Sequence, residues 1–346
     1  MMYKEPLSRN QMIKAIEQGG YLPQTIGFWV DPAVYGERNG EVQALLDNHP
    51  VDAMWLIPTF PGYWGSPFPD YPSYIWGERV QTKSAAIDSQ QLIAEWDELD
   101  TFIEKFPKAS LPPITQAAKE TIQKDTTGRY RLCHFWYLFY ERLWSFRGME
   151  NALVDLHLNK DKVHRLFEEL CDFYIGIIER VQNEIGCDGV YVTDDLGSQQ
   201  DIMFSPEIFR EMFLPYYKKV IDTCHKKGLH FWLHSCGNIE KILPDLIELG
   251  VDILHPIQKY AMNEEEIAMK YKGKICFMCG MDVQNVMPFG TPDDVRAEVN
   301  RLVNIFGKDN GRIIFSMGNG VTPNIPVENL YALYDEVYRL RDNYII

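Results

Sequence analysis

The 346-residue sequence holds no run near the roughly 20 consecutive apolar residues needed to cross a bilayer. Its first residues, MMYKEPLSRNQMIKAIEQ, lack an apolar core and a small-residue cleavage site, so no signal peptide is expected and the chain is expected in the cytoplasm. Cations are scarce: 34 Lys and Arg stand against 49 Asp and Glu, a formal net charge of −15. A field of that sign repels phosphate backbones and anionic headgroups, which disfavours nucleic-acid and membrane partners. Seven cysteines are an odd and sparse set. They do not make a disulfide scaffold and read as reduced thiols, some free to bind metal. No glycine-rich phosphate fingerprint follows any strand-like run, which weakens a dinucleotide-binding reading. No repeat, low-complexity tract or linker divides the chain, so residues 1–346 read as a single domain.

What is present is an alternation of short β-rich runs with longer amphipathic stretches. Eight strands are expected, at 25–30, 51–57, 130–135, 189–193, 230–234, 252–255, 274–278 and 312–316. Between them, 160–185 repeats apolar residues at helical spacing (Val163, Phe167, Leu170, Tyr174, Ile177, Val181, Ile185). Ser205 and Thr291 each precede Pro and an acid, as N-caps do, and Gly228 and Gly250 stand where helix C-caps belong. Eight strands with helices between them fit a TIM (β/α)8 barrel preceded by an N-terminal extension. Residues 58–77 break the pattern, with five prolines, three glycines and six aromatics besides Trp76. They read as a long ordered loop at the C-terminal mouth, packed on its own side chains or forming an aromatic wall over a pocket, with Phe60, Tyr63 and Trp64 in contact with substrate.

A barrel of this kind carries its active site at the C-terminal strand ends. These ends offer Asp194 and Asp195, His234, Cys236 and Asn238, Gln258, Cys279 and Asp282, Met317 and Asn319. His234 and Cys236 are two apart on an extended segment, so both side chains aim at one point. Zinc accepts imidazole and thiolate together, and Cys279, taken as a strand end, is the expected third ligand. The competing reading is a hydrogen-bonded His234 beside two buried thiols. Cys276, of opposite parity to Cys279, reads as core, and Cys133, Cys171, Cys187 and Cys224 as structural. His225 and His230 likewise read as structural. Only one of Asp194 and Asp195 is expected to enter the pocket, to orient substrate, carry a proton or brace a metal ligand, and the competing reading of the pair is an N-cap or a solvated loop.

Several longer segments then resemble the uroporphyrinogen decarboxylase superfamily. They are ERLWSFRGMENALVDL (141–156), DGVYVTDDLGSQQDIMFSPEIFREMFLPYYKKV (188–220), HSCGNIEKILPDLIELGVDILHPIQ (234–258), GMDVQNVMPFGTPDDVRAEV (280–299) and MGNGVTPNIPVENL (317–330). The resemblance implies a TIM barrel and either tetrapyrrole decarboxylation or methyl transfer with a corrinoid protein. The decarboxylases share an N-terminal Gln-Ala-Gly-Arg and a late His. Here 24–28 reads QTIGF without arginine and Asn319 stands at the His position. The strand ends named above hold no Arg or Lys for a polycarboxylate substrate. The corrinoid methyltransferases carry His-x-Cys plus a later Cys on zinc. His234 and Cys236 match, while the later Cys also falls at Asn319, which leaves Cys279 or a carboxylate as the substitute ligand, or no metal at all.

The resemblance therefore implies a corrinoid-dependent methyltransferase. Members from anaerobic acetogens demethylate aromatic methyl ethers, and the aromatic segment suits a flat ring. Zinc would act as a Lewis acid on the ether oxygen, Asp194 or Asp195 and Asn319 would assist the chemistry, and Gln258 and Asp282 would help bind substrate. The chain has no Asp-x-His-x-x-Gly, so the corrinoid would ride on a separate partner protein. Other methyl carriers remain alternatives: methylamine, a betaine-like compound, a thiol or tetrahydrofolate. So do a tetrapyrrole decarboxylase and a non-catalytic binding module. The sequence does not distinguish a monomer from a homodimer.

Overall fold

A computed structural model describes residues 3–58, 91–135 and 137–342. The segment that carries Phe60, Tyr63 and Trp64 lies outside the described residues. Among the described residues seven strands form one parallel sheet in sequential order: β1 (Ala53–Leu56), β2 (Tyr130–Phe135), β3 (Gly189–Thr193), β4 (His230–His234), β5 (Ile253–His255), β6 (Cys276–Met281) and β7 (Ile313–Met317). Helices on its outer side connect them, as parallel pairing requires. The architecture is that of a TIM-like α/β barrel.

The first expected strand, 25–30, is not one. Residues 23–25 bridge β7, with Phe315 N–H donating to Pro23 O at 2.8 Å and Thr25 N–H to Phe315 O at 2.7 Å. Asp52 N–H, just before β1, donates to Gln24 O at 3.0 Å. A rudimentary eighth position thus fills the gap between β7 and β1. The chain then turns into a 3-10 helix, Ile26–Trp29. The Gln24 side chain causes this: its Oε1 accepts the Ile26 N–H at 3.1 Å, a bond a continuing strand would give to a neighbour. The buried Asp52 carboxylate accepts from the backbones of Leu7 and Gln24 and from Arg341, which ties both ends of the chain to this closure.

Period-2 alternation sorts the strand residues into two cores. Tyr130, Leu132, Tyr191, Trp232, Ile253, Cys276, Met278 and Ile314 fill the interior, closed at the N-terminal end by Met12 and Ile16 of the helix Arg9–Glu17. Phe135, Val190, Val192, Phe231, Leu233, Phe277, Cys279 and Phe315 face outward into the helix layer. The helix Lys160–Ile185 buries its expected stripe there and ends on left-handed Gly186. The Ser205 and Thr291 caps form as expected, each side chain accepting a backbone N–H of the following turn. β6 runs to Met281, three residues beyond the expected end, which changes the reading of Cys279.

Candidate metal centre and active site

The same alternation decides which strand-end residues meet. On β4 the inward set continues through Trp232 and His234 to Cys236. On β3 it runs through Tyr191 and Thr193 to Asp195, leaving Asp194 outward. Three donor atoms, from Asp195, His234 and Cys236, all lie within 4.8 Å of one another. Cys236 Sγ is 3.3 Å from His234 Nε2, and Asp195 Oδ1 is 3.5 Å from the same nitrogen.

Local backbone chemistry holds this cluster. The Ser235 hydroxyl accepts the Leu196 N–H at 3.0 Å, the Asp195 carboxylate accepts the Cys236 N–H at 2.8 Å, and Asn238 N–H donates to Ser198 O at 2.7 Å. The loops after β3 and β4 therefore cross backbone on backbone. Gly237 (φ +84°) permits it, since a Cβ there would stand 2.3 Å from the Gly197 carbonyl. Beside the cluster opens a cavity of about 340 Å³, lined among others by Asp195, Cys236, Gln258, Asp282 and Asn319. Gly280 and Gly318 shape its wall: a Cβ on Gly280 would meet Gly318 Cα at 2.4 Å.

The donor set fits a zinc ion. Around a tetrahedral zinc with bonds of about 2.0–2.3 Å, adjacent ligand atoms stand roughly 3.3–3.6 Å apart, the range of the two separations here. Burial holds the His234 pKa down to about 4, so the imidazole is neutral and able to ligate. Burial, with Asp195 beside it, pushes the Cys236 thiol up, so metal binding there must displace its proton.

Cys279 is not part of the cluster. It lies inside β6 with outward parity, buried in the helix-side core. A zinc site built on it would need the strand to end three residues earlier. Asp195 supplies the third donor of the cluster instead. Asp194 also stays out of the cavity. Its carboxylate accepts the N–H groups of Phe139 (3.2 Å), Tyr140 (3.2 Å) and Glu141 (2.8 Å) and the Tyr217 hydroxyl (2.7 Å). It thus caps the helix Tyr140–Arg147, with burial raising its pKa to about 6.

Gln258 and Asp282 line the cavity but are partly committed to the fold. Gln258 Oε1 accepts the Gly237 N–H at 2.6 Å. Asp282 accepts the N–H groups of Gln284 and Asn285 and the Tyr260 hydroxyl. Asn319 Nδ2 is 3.7 Å from Cys236 Sγ, so its amide borders the cluster. Lys259, a cation that the strand-end survey missed, also lines the cavity. Its ammonium pairs with Glu298 at 2.8 Å and lies over the Tyr260 ring.

Two further groups beside the cluster escaped the sequence reading. Glu141 is buried and accepts the Thr193 hydroxyl at 2.5 Å, its pKa held well above the carboxylate range by burial and by Asp195 and Asp194. It comes from a helix, so no strand-end pattern points to it. His255 lies against His234. The inward parity of β5 was the signal for it.

The fold is that of an α/β barrel, and the donor cluster and its cavity lie at the C-terminal mouth. The uroporphyrinogen decarboxylase (URO-D) family model matches residues 142–340, and the chain belongs to that family. A uroporphyrinogen decarboxylase of Hydrogenovibrio crunogenus is 23% identical over 99% of this chain and 96% of its own length. A methylated-thiol–coenzyme M methyltransferase of Methanosarcina mazei is 22% identical over 67% of this chain and 59% of its own. The methylcobamide:CoM methyltransferase MtbA of the same organism is 26% identical over 52% and 50%. A solved methyltransferase from Methanosarcina mazei shares the fold, with a TM-score of 0.58 and 14% identity over 98% of this chain and 93% of its own. Relatives of both activities thus lie at similar distance. Among the described residues no helix is long and apolar enough to cross a membrane.

Proposed function

We propose that this protein is a corrinoid-dependent methyltransferase that takes a methyl group from an aromatic methyl ether and passes it to cobalt(I) on a separate corrinoid protein. The observation that carries the reading is the convergence of His234 Nε2, Cys236 Sγ and an Asp195 oxygen at the edge of a cavity. That N, S, O set is a catalytic-type zinc set with room for a fourth partner. His234, Cys236 and Asp195 would hold a zinc ion, which would supply Lewis acidity toward the donor's heteroatom. Decarboxylation is disfavoured because a polycarboxylate needs free cations, and among the described residues the one cation lining the cavity, Lys259, is tied to Glu298.

In the transfer, the O–CH3 bond breaks with its pair left on oxygen, and the acceptor supplies the pair for the new bond to carbon. Negative charge therefore grows on the departing phenolate oxygen. The Asn319 amide, beside Cys236, offers an N–H toward that charge. Asp195 keeps the Cys236 backbone in place through its 2.8 Å hydrogen bond. Gln258 fixes Gly237 and with it the loop that carries Cys236.

The test mixes purified protein with cob(I)alamin and one donor at a time: a methoxyphenol, trimethylamine, glycine betaine, dimethyl sulfide or methyltetrahydrofolate. Uroporphyrinogen serves as the decarboxylase control. Methylcobalamin formed from the methoxyphenol, and lost with His234→Ala and Cys236→Ala, supports the reading. Turnover with another donor alone would replace the substrate, and carbon dioxide from the control alone would overturn methyl transfer.

A further inference from the structure

His255 lies 0% exposed behind His234, between the metal cluster and the β7 backbone. Its Nε2 is 2.8 Å from the Met317 carbonyl oxygen. A carbonyl only accepts, so Nε2 carries a hydrogen. The hydrogen-bond partners of His255 among the described residues are a carbonyl, a phenol and another imidazole, with no carboxylate to pair a charged ring in this buried place, so the ring is neutral and its Nδ1 is bare. That Nδ1 faces His234 Nδ1 at 2.7 Å. Two bare nitrogens at that distance would repel, so His234 Nδ1 is the donor. As a buried neutral ring with its one hydrogen on Nδ1, His234 keeps a bare Nε2. This is the nitrogen that faces Cys236 Sγ at 3.3 Å and Asp195 Oδ1 at 3.5 Å. Trp29 stacks on the His255 ring, with centroids 5.1 Å apart and 21° between planes, and the Tyr191 hydroxyl is 3.3 Å from His255 Nδ1.

We propose that His255 is a positioning residue: through the relay Met317 O···H–Nε2 His255 Nδ1···H–Nδ1 His234 it locks His234 into the one tautomer whose Nε2 can hold a metal ion. The backbone carbonyl of β7 thereby sets the lone-pair direction of a side chain on β4. A metal-ligating histidine usually donates its other N–H to a carboxylate, carbonyl or water. Here a second, buried imidazole takes that place, and unlike a carboxylate it adds no negative charge behind the ligand. The inference deepens the metal reading given above and rests on it for the role of the relay.

Two variants test it. His255→Leu fills the space but accepts nothing. His255→Asn places an amide oxygen near the Nδ1 position and restores an acceptor for His234. The first measurement is the tautomer of His234 in metal-free, 15N-histidine-labelled protein, from long-range 1H–15N spectra. The wild type and His255→Asn are expected to show the Nδ1–H form, and His255→Leu to lose it. The second is zinc affinity by chelator competition, with cobalt(II) absorption spectra as a readout of ligand geometry. His255→Leu is expected to bind about tenfold to a hundredfold more weakly, and His255→Asn nearly as tightly as the wild type. An Nε2–H tautomer in the wild type, or an unchanged tautomer and affinity in His255→Leu, overturns the proposal. If the wild type binds no zinc at all, the metal reading fails by itself, and the tautomer spectra still decide whether His255 orders His234.

Discussion

Replacing Gly237 by alanine tests whether the site depends on the crossing of two loops. The perturbation has two parts. At φ +84° an alanine takes on a left-handed conformation, which costs about 1–2 kcal/mol. Its Cβ would also lie 2.3 Å from the Gly197 carbonyl, where ordinary contact begins at 3.4 Å. The loops after β3 and β4 must then part by about 1 Å, since neither contacting atom belongs to a side chain that could swing away. These loops carry Asp195 and Cys236, whose 2.8 Å backbone tie would stretch past hydrogen-bond length. A metal cage tolerates only about 0.2 Å. Gly228 provides the control: its φ is +71° and nothing lies within 4 Å of its would-be Cβ. Gly228→Ala isolates the conformational cost. With an unfolding entropy of about 0.7 kcal/mol/K for a chain of this length, it should lower Tm by about 1–3 °C and leave zinc binding intact. Gly237→Ala should lower Tm further and weaken zinc binding by at least about tenfold. The assays are calorimetry and chelator competition on both variants. Equal zinc affinity in the two variants would refute the reasoning.

Cys279→Ala should keep the wild-type zinc content in elemental analysis and lower stability by about 1–2 kcal/mol, because the thiol fills helix-side core and ligates nothing. Loss of metal in that variant would restore Cys279 as a ligand. Asn319→Cys places a thiol where an amide now stands 3.7 Å from Cys236 Sγ, and should tighten zinc at least about tenfold in the same competition assay. Asp194 sets a pH dependence. Its carboxyl is raised from 3.8 to about 6 by burial, so between those values the folded state binds more protons than the unfolded state. The stability contribution is present below pH 4 and lost as pH rises through 6, by about 3 kcal/mol. Urea denaturation should show the wild type losing that amount relative to Asp194→Asn between pH 4 and pH 7. A difference between the two that does not vary with pH would count against it.

β2, β3, β4 and the helix Lys160–Ile185 could be read to the residue, because each is a clean period bounded by turn or capping residues. Two failures have one origin: they concern where a strand stops, which tertiary pairing decides. Residues 25–30 are aromatic and β-branched enough to be a strand, yet the Gln24 side chain intercepts the next backbone donor. β6 gains three residues because β7 pairs with it as far as Met281. That extension carried Cys279 from a strand end into the outer face, away from the cluster of Asp195, His234 and Cys236. His234 and Cys236 were legible because their two-residue spacing survives any shift of strand boundary. Asp195 was legible only as half of a pair, until the parity of β3 turned Asp194 toward the helix Tyr140–Arg147. Glu141 was not legible, since it reaches the barrel mouth from a helix. His255 could have been found by extending the inward parity of β5.

In the proposed zinc site a carboxylate stands where the resemblance implies a second thiolate, which bears on the donor such a site would suit. Thiolates are soft ligands that return electron density to a metal and favour work on sulfur, whereas a carboxylate returns less and leaves a harder, more acidic centre. As a ligand to the proposed zinc, Asp195 would carry the same charge as a thiolate but donate less, and neutral His255 behind His234 would add no further charge. That combination would raise Lewis acidity toward an oxygen atom, and an aryl ether needs that assistance because phenolate departs reluctantly. The substitution predicts a trade in Asp195→Cys: methyl transfer from a methoxyphenol should fall while zinc is retained, and activity toward dimethyl sulfide should hold or rise. If both donors lose activity in proportion, the identity of the third ligand does not tune donor choice, and the preference must come from the cavity walls instead.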